Sequence, residues 1–271
     1  MTEIRIKSWT HLCDEIFKNG LKRPTNRFRS PEVYRGLSQA RHKLIPKLNR
    51  WAPLHGVRME NLLIHNFKTY SQQDPLNAKS IWMWLALAQH HGLPTRLLDW
   101  TYSPLVAAHF ATANTAKYDK DGVIWCVNVA ACGSRLPRAA AEKLQKDGIH
   151  VFTVEMLSYG IPDLDTFRGM TGPKPLALFF EPPSLDQRIA AQHALFSVMS
   201  DAAASMEDWL NEDPTCYRKI ILPAKLKWEI RDKLDHSNIN ERVLFPGFDG
   251  LCDWLQRRYH PIPELIKARL R

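Results

Sequence analysis

The spacing of apolar residues along the chain predicts helices mainly in its first half and strands mainly in its middle. Residues 59–72 and 79–91 have helical periodicity, and apolar side chains surround most of the second segment, which is typical of a buried helix. Apolar runs at 122–129 and 176–180 predict buried strands. Because strands and helices do not alternate regularly, the pattern favours an α+β fold with a helical N-terminal half around a central sheet. Further strands are predicted at 32–36, 150–156, 194–199 and 217–222, and further helices at 105–113, 138–146, 186–193, 224–236 and 249–259.

Two polar segments interrupt this pattern. Residues 160–175 are rich in glycine, proline and polar residues and are predicted to form a loop over a pocket. Residues 89–101 place two histidines, an arginine and an aspartate between two apolar helices. Ser103 is a suitable N-cap and Pro104 a suitable first residue for the helix that follows, which would direct the positive end of its dipole toward the second segment. That segment is therefore the first candidate for a functional site.

The composition is typical of a globular protein with a basic surface. The 271 residues carry a formal net charge of +9, and 45% of them are hydrophobic. The sequence contains no repeat or long linker, which predicts one domain over residues 1–271, and the charge favours a polyanionic partner. The five cysteines are scattered, and the first residues lack the apolar run of a signal peptide. We therefore expect a cytoplasmic protein with free thiols and no membrane segment.

The ionisable residues of the polar segment allow more than one interpretation. His90 and His91 are adjacent and would point about 100° apart on a helix, so their spacing argues against a metal site and none is expected. Either histidine is also consistent with a structural role at a helix end. Arg96 and Asp99 are compatible with a buried ion pair that fixes the loop, and equally with Arg96 binding an anion while Asp99 orients a hydroxyl group.

Candidate residues also lie at the ends of predicted strands. Arg35 comes directly before Gly36, where the backbone can turn or admit a ligand, and its planar guanidinium suits a pyrophosphate, although a surface salt bridge is the alternative. Glu181 ends another strand, and Arg188 and Gln192 lie side by side on the next short helix. The C-terminal region either follows a nucleic-acid backbone or forms a solvated helix and tail. Its basic and aromatic residues are Trp254, Arg257, Arg258, Tyr259, Lys267, Arg269 and Arg271.

The motifs of several large enzyme classes are missing, while others resemble one particular family. The sequence lacks G-x-G-x-x-G, P-loop, G-x-S-x-G and H-E-x-x-H motifs, which disfavours Rossmann dinucleotide folds, P-loop NTPases, serine hydrolases and zinc proteases. An ordered set of other motifs resembles the FRG domain, named for its aromatic, arginine and glycine tripeptide. The resemblance covers about residues 30–255 and leaves a basic tail at 256–271. The matching segments are Tyr34-Arg35-Gly36, Leu44-Ile45-Pro46, WLALAQHHG at 84–92, TRLLDWT at 95–101, RIAAQ at 188–192 and LFPGFDGL at 244–251.

The first of these segments is also similar to the first motif of arginine-class ADP-ribosyltransferases, in which the arginine holds NAD. This resemblance implies an ADP-ribosyltransferase-like fold with a central split mixed or antiparallel sheet, and NAD as the substrate. It gives Arg35 the NAD-binding role and Thr101 with Ser103 the role of the hydroxyls on a second strand. Since the sequence has no clear E-x-E or Q-x-E motif, Glu181, Gln192 or Asp99 would take the place of the catalytic acid. The catalytic candidates are Asp99, His91, Glu181 and Gln192, and the NAD-binding candidates are Tyr34, Arg35, Gly36, His90, Arg96, Thr101, Ser103 and Arg188.

The resemblance thus implies an NAD-dependent ADP-ribosyltransferase of the toxin or phage-defence type. The positive charge favours DNA or RNA as the acceptor, while NAD hydrolysis or protein modification would use the same core. An arginine on the pyrophosphate and a carboxylate on the ribose would stabilise the oxocarbenium ion, while a histidine would deprotonate the acceptor. A neutralising antitoxin protein is a further expected partner of such an effector. A non-catalytic nucleic-acid or nucleotide-binding module and a phosphate-directed hydrolase such as a nuclease stay open as alternatives.

Overall fold

The computed structural model describes residues 2–22, 27–71, 80–183 and 187–260. Within these ranges the strands are β1 (Thr2–Arg5), β2 (Leu21–Lys22), β3 (Arg27–Phe28), β4 (Glu32–Leu37), β5 (Leu98–Thr101), β6 (Gly122–Asn128), β7 (Phe152–Thr153), β8 (Ala177–Glu181), β9 (Ala194–Met199) and β10 (Tyr217–Leu222). The α-helices are α1 (Trp9–Phe17), α2 (Lys47–Trp51), α3 (Gly56–Tyr70), α4 (Ile81–His90), α5 (Pro104–Thr112), α6 (Val129–Gly133), α7 (Arg138–Asp147), α8 (Val154–Gly160), α9 (Leu164–Gly169), α10 (Gln187–Gln192), α11 (Met206–Asn211), α12 (Lys227–His236), α13 (Glu241–Leu244) and α14 (Phe248–Arg258).

Eight strands form one open mixed sheet in the order β1-β10-β6-β4-β5-β9-β8-β7, while β2 and β3 pair separately. The outermost pairs, β1 with β10 and β7 with β8, are parallel, and the pairs between them are antiparallel. The predicted mixture of helices with a mixed sheet is confirmed. The helices, however, are spread along the whole described chain instead of dominating its first half.

The centre of the sheet is held together by little backbone pairing. β4 pairs with β6 through the six residues from Glu32 to Leu37, and β5 pairs with β9 through its four residues. Between them, β4 and β5 are joined at one position, Tyr34 opposite Thr101. Beyond this pair the two strands part, and a cleft opens between the two halves of the sheet.

Helix α5 packs against β4 at very short range. A Cβ atom built on Gly36 would lie 1.8 Å from the carbonyl oxygen of Ala107 and 2.6 Å from the nitrogen of Ala111. Position 36 therefore needs glycine because the helix backbone fills the space of a side chain, and not because a ligand approaches from that side as we had expected. Ser103 caps α5 through the Val106 N–H, and Pro104 is its first residue, as predicted.

Three predicted segments differ from the structure. Strand 150–156 is wrong except at Phe152–Thr153, because Thr153 caps α8 by accepting a hydrogen bond from the Met156 N–H at 3.3 Å. Loop 160–175 contains α9, which Asp163 caps. The polar segment 89–101 ends in β5, whose Trp100 is buried and donates to Ser197 Oγ at 2.8 Å. None of the helices in the described part of the chain has the length and apolar character needed to cross a membrane.

The predicted tail at 256–271 begins too early. Residues 256–258 are the last turn of α14, in which Arg257 is buried and paired with Asp235 and Glu241. Residues 261–271, with Lys267, Arg269 and Arg271, lie outside the described residues, as does the first residue of the predicted helix 186–193.

Candidate active site

The cleft between β4 and β5 brings together candidate residues from distant parts of the sequence. Its volume is about 240 Å³, and it is walled by β4, β5, α10 and the end of α4. Sequence-predicted residues on its lining are Tyr34, Arg35, Gly36, Asp99, Thr101, Arg188 and Gln192. The lining also includes Gln89, Trp100, Phe110 and Ala194, which we did not predict as site residues.

The three residues of the aromatic, arginine and glycine tripeptide on β4 have different structural roles. Tyr34 is buried, and its hydroxyl donates to Glu32 Oε2 at 3.2 Å; burial and the Glu32 carboxylate raise the pKa of Tyr34. Glu32 in turn forms a buried ion pair with Arg218 at 2.8 Å. Gly36 admits α5, as described above. Arg35 is left as the member of the tripeptide that supplies a charged group to the cleft.

Arg35 spans the gap where the pairing of β4 and β5 stops. Its Nη1 donates to the backbone oxygen of Asp99 at 2.5 Å and lies 3.6 Å from Asp99 Oδ2. The side chain is 15% exposed, and its buried Nε has no hydrogen-bond partner among the described residues. Burial lowers the pKa of Arg35, while the Asp99 carboxylate acts in the opposite direction. A buried donor without an acceptor costs about 1–3 kcal/mol, which an acceptor on a ligand would recover.

A short hydrogen-bond chain fixes the Asp99 carboxylate. The Leu97 N–H donates to Thr95 Oγ1 at 3.1 Å, the Thr95 hydroxyl donates to Gln89 Oε1 at 2.6 Å, and Gln89 Nε2 donates to Asp99 Oδ2 at 2.8 Å. Because a carboxylate can only accept, the Gln89 amide turns its Nε2 toward Asp99 and leaves its Oε1 to accept from the Thr95 hydroxyl. The Asp99 side chain is 56% exposed, so the carboxylate is held in place yet accessible.

Thr101 and Ser103 fix the connections between elements of the site. The Thr101 hydroxyl accepts from the Ser103 N–H at 3.0 Å and donates to the Gln192 carbonyl oxygen at 2.7 Å, which ties β5 to the end of α10. Gln192 Nε2 donates to the Leu244 carbonyl oxygen at 2.9 Å. Ser103 is not part of the cleft lining, and its hydroxyl caps α5. The two hydroxyls therefore organise the cleft walls.

Arg188 lies at the mouth of the cleft on α10. It is exposed, and its guanidinium carbon lies 4.8 Å from the centre of the Phe245 ring. Phe245 also contacts Phe110 edge-on, with 6.2 Å between ring centres. Because a guanidinium that contacts an aromatic ring still has N–H groups at its edge, Arg188 can offer donors to an anion at the cleft.

Arg96 does not bind an anion in the cleft, contrary to the functional expectation. Its guanidinium is buried against the Glu60 carboxylate, at 2.6 Å from Nε and 2.5 Å from Nη2, and Glu60 also accepts from the Arg96 backbone N–H at 3.0 Å. The expectation of a buried ion pair is correct, but its partner is Glu60 on α3 and not Asp99. The pair attaches α3 to the segment that carries Asp99.

His90, His91 and Glu181 lie apart from the cleft lining. His90 ends α4, and the exposed His91 caps it, with 5.1 Å between their ring centres. Glu181 accepts a hydrogen bond from the Tyr102 hydroxyl at 2.6 Å, and burial together with this carboxylate raises the pKa of Tyr102. Asp99 is thus the acidic residue on the described lining. The described residues contain no group of three or more His, Cys, Asp or Glu placed to hold a metal ion.

A mixed sheet that opens at its centre onto an arginine and a carboxylate defines this chain as a mixed α/β protein with a polar central cleft. Residues 30–120 match the family model of the FRG domain. This part of the chain is therefore similar to the FRG domain, and it contains β4, β5, Arg35 and Asp99. The matched residues do not reach Arg188 and Gln192, so the wider resemblance to residue 255 stays a prediction. No curated protein and no solved structure matches the chain.

Proposed function

We propose that the cleft binds NAD and that the protein transfers ADP-ribose to an acceptor, on a fold of the ADP-ribosyltransferase type. The observation that carries the proposal is the convergence of Arg35 and Asp99 at the point where the sheet parts. An arginine that leaves a central strand next to an accessible carboxylate offers both contacts that a nucleotide diphosphate and its ribose require.

The dimensions and the polar groups of the cleft fit one end of NAD. A volume of about 240 Å³ is below the roughly 300–1,000 Å³ of sites that enclose a whole ligand, so the cleft would take the nicotinamide and its ribose. The diphosphate would then lie toward Arg35, whose Nε has no acceptor among the described residues, and toward Arg188 at the mouth. Phe110 supplies an apolar wall for a flat ring.

The proposed reaction breaks the bond between the ribose carbon and the nicotinamide nitrogen. The bonding electron pair stays with nicotinamide, and positive charge develops on the ribose, where the Asp99 carboxylate stabilises it. An oxygen or nitrogen atom of the acceptor forms the new bond to the same carbon, and Asp99 takes the proton that the acceptor loses. Since Gln89 fixes the orientation of Asp99, the carboxylate meets the developing charge without reorganisation.

We further propose that the acceptor is nucleic acid and that the protein acts in the cytoplasm as a toxin or phage-defence effector, which a neutralising protein partner would restrain. The net charge of +9 supports a polyanionic acceptor, because basic surfaces concentrate phosphate-bearing ligands. Support for the effector role is limited to the FRG domain at residues 30–120.

The test is incubation with nicotinamide-labelled and adenine-labelled NAD in the presence of DNA, RNA or protein. We expect nicotinamide release and transfer of the adenine label, and a rate about 10²–10³-fold lower for Asp99→Asn. Asp119→Asn is the matched control, since its carboxylate is 64% exposed and outside the cleft. No nicotinamide release from the wild type, or an Asp99→Asn variant as fast as the control, would refute the proposal. Nucleic-acid binding without any NAD turnover would indicate the non-catalytic module instead.

A further inference from the structure

The segment from residue 33 to residue 59 contains no aspartate or glutamate. It carries six lysines and arginines, which is two thirds of the net charge of +9 in a tenth of the chain. The carboxylates that border it, Glu32 and Glu60, are buried and paired with Arg218 and Arg96. The positive charge of this acid-free segment is therefore not neutralised from within or from its borders.

Four cations of the acid-free segment lie at the surface between β4 and the end of α2. Arg41, Lys43, Lys47 and Arg50 are all exposed, and we call them, with Trp51, the basic surface. Their hydrogen bonds go to neutral oxygens: Arg41 Nε donates to Gln39 Oε1 at 3.1 Å, Lys47 Nζ to the Gly92 carbonyl at 2.6 Å and Arg50 Nη1 to the Ile45 carbonyl at 3.2 Å. None of the four forms an ion pair with a carboxylate of the described residues.

Several exposed cations elsewhere have charged or aromatic side chains as partners. On α7, Arg138 pairs with Glu142 at 2.7 Å and Lys143 with Asp147 at 2.9 Å. On α14, the Trp254 ring is flanked by the guanidinium groups of Arg242 and Arg258, at 4.8 and 5.1 Å. Of the two arginines in the described part of the C-terminal region, Arg257 is buried and Arg258 is exposed beside Trp254. The basic surface groups four cations without a carboxylate partner among the described residues, and it lies beside the FRG tripeptide.

The basic surface adjoins the cleft. Helix α2 is fastened to the segment that precedes β5, because the Leu48 N–H donates to the Thr95 carbonyl at 3.2 Å. Arg50 lies close enough to Arg35 that its charge adds to the effect of burial in lowering the pKa of Arg35. The same Arg50 charge, with that of Arg41, adds to burial in lowering the pKa of His42. A polyanion on this surface would therefore pass next to Arg35.

The exposed Trp51 indicates which kind of polyanion the basic surface would bind. Its indole is 54% exposed at the end of α2, directly after Arg50. An exposed aromatic ring among unpaired cations is the combination by which proteins bind single-stranded nucleic acid, since the cations contact phosphates and a base stacks on the ring. A duplex keeps its bases stacked inside and offers the indole no partner.

We propose that the basic surface binds the phosphate backbone of single-stranded DNA or RNA, with a base stacked on Trp51, and presents the strand to the cleft. The presentation to the cleft rests on the proposed function, whereas binding itself does not. The strand would approach along α2, pass Arg50 and reach the side of the cleft on which Arg35 lies.

The test measures anisotropy of fluorescein-labelled single-stranded DNA and RNA of one sequence, and of the DNA duplex, over a range of salt concentrations. We expect the single strands to bind more tightly than the duplex. Replacing Arg41, Lys43 and Arg50 by glutamine should lower affinity at least about tenfold and reduce the slope of log affinity against log salt by about 2. Trp51→Ala should lower the affinity for single strands about tenfold.

Matched controls separate a local effect from loss of charge. The triple variant Arg138→Gln, Lys143→Gln, Lys146→Gln removes the same charge from α7, and Leu54→Ala removes another apolar side chain of the segment, 87% exposed. The proposal would be overturned if the basic-surface variants bound single strands as well as these controls do. It would also be overturned if the wild type bound anionic vesicles or polyglutamate but neither single-stranded DNA nor single-stranded RNA. Nicotinamide release in water, measured on the same proteins, reports on the proposed function separately, because the variants leave the cleft lining intact.

Discussion

Replacing Gly36 by alanine is expected to destabilise the protein by about 3 kcal/mol. The added Cβ would meet the Ala107 oxygen at 1.8 Å, about 1.6 Å short of the ordinary contact distance of 3.4 Å, and the Ala111 nitrogen at 2.6 Å. Overpacking in a core costs about 1–3 kcal/mol when side chains can adjust. Both obstructing atoms here belong to the backbone of α5, so the helix must move as a unit and the upper end of that range applies.

The assay is urea unfolding followed by circular dichroism, with Gly160→Ala as the matched control. A Cβ on Gly160, the last residue of α8, meets no atom of the described residues within 4 Å, so the control should be unchanged or up to about 1 kcal/mol more stable. A Gly36→Ala protein within about 0.5 kcal/mol of the wild type would refute the close packing of α5 on β4. Since Phe110 on α5 lines the cleft, the same variant should also weaken the NAD binding that we propose.

Three further predictions follow from buried or ordered polar groups. Glu60→Gln should lower the free energy of unfolding by about 3–5 kcal/mol, because it leaves the buried Arg96 guanidinium without its carboxylate. Burial and the adjacent Arg231 lower the pKa of His109 from 6.5 to about 3, so the unfolded chain binds a proton that the folded chain does not. The contribution of neutral His109 to the free energy of unfolding is therefore complete above pH 6.5 and is lost as the pH falls toward 3, with a slope of at most about 1.4 kcal/mol per pH unit. His109→Gln should remove this slope. Gln89→Leu should lower kcat for nicotinamide release about tenfold or more with little change in KM, because it frees the Asp99 carboxylate to reorient.

Each of these outcomes has a contradicting result, and two have a matched control. Glu142→Gln breaks an exposed ion pair and should cost less than about 1 kcal/mol in urea unfolding; an equal effect at Glu60 would contradict the burial of its pair. An unaltered slope in His109→Gln would contradict the neutral buried ring. Gln89→Glu keeps the shape but loses the donor, so activity equal to the wild type would contradict the positioning of Asp99.

The sequence predicts the elements whose signals are local. β9 and β10 have the bounds 194–199 and 217–222 that their apolar runs indicate, and α5 begins where the Ser-Pro pair predicts. β5 was missed because the alternation of Leu98, Asp99, Trp100 and Thr101 is only four residues long and its main partner is β9, nearly a hundred residues later. Pairing with a distant strand outweighs local pattern there.

In the candidate site too, the sequence identifies residues by their type but not the contacts that depend on the fold. Arg35 and Asp99 stand out by residue type, and the structure brings them together in one cleft. The partner of Arg96 is 36 residues away, and several carboxylates lie within a comparable distance in the sequence, so spacing could not select Glu60. Gln89 was part of a recognised motif, but its role depends on the Thr95 hydroxyl, which is a matter of geometry and not of residue type.

The single pair that joins β4 to β5 also has a mechanical consequence. Backbone pairs between strands resist bending of a sheet. β4 and β5 share one such pair, whereas β4 and β6 share six and β5 and β9 share four. The angle between the two halves of the sheet is thus opposed by the fewest backbone pairs, and Arg35 and Asp99 lie on opposite sides of the gap. A molecule that binds both Arg35 and Asp99 would restrict the motion of the two halves of the sheet relative to each other. A molecule that binds only one of them would not.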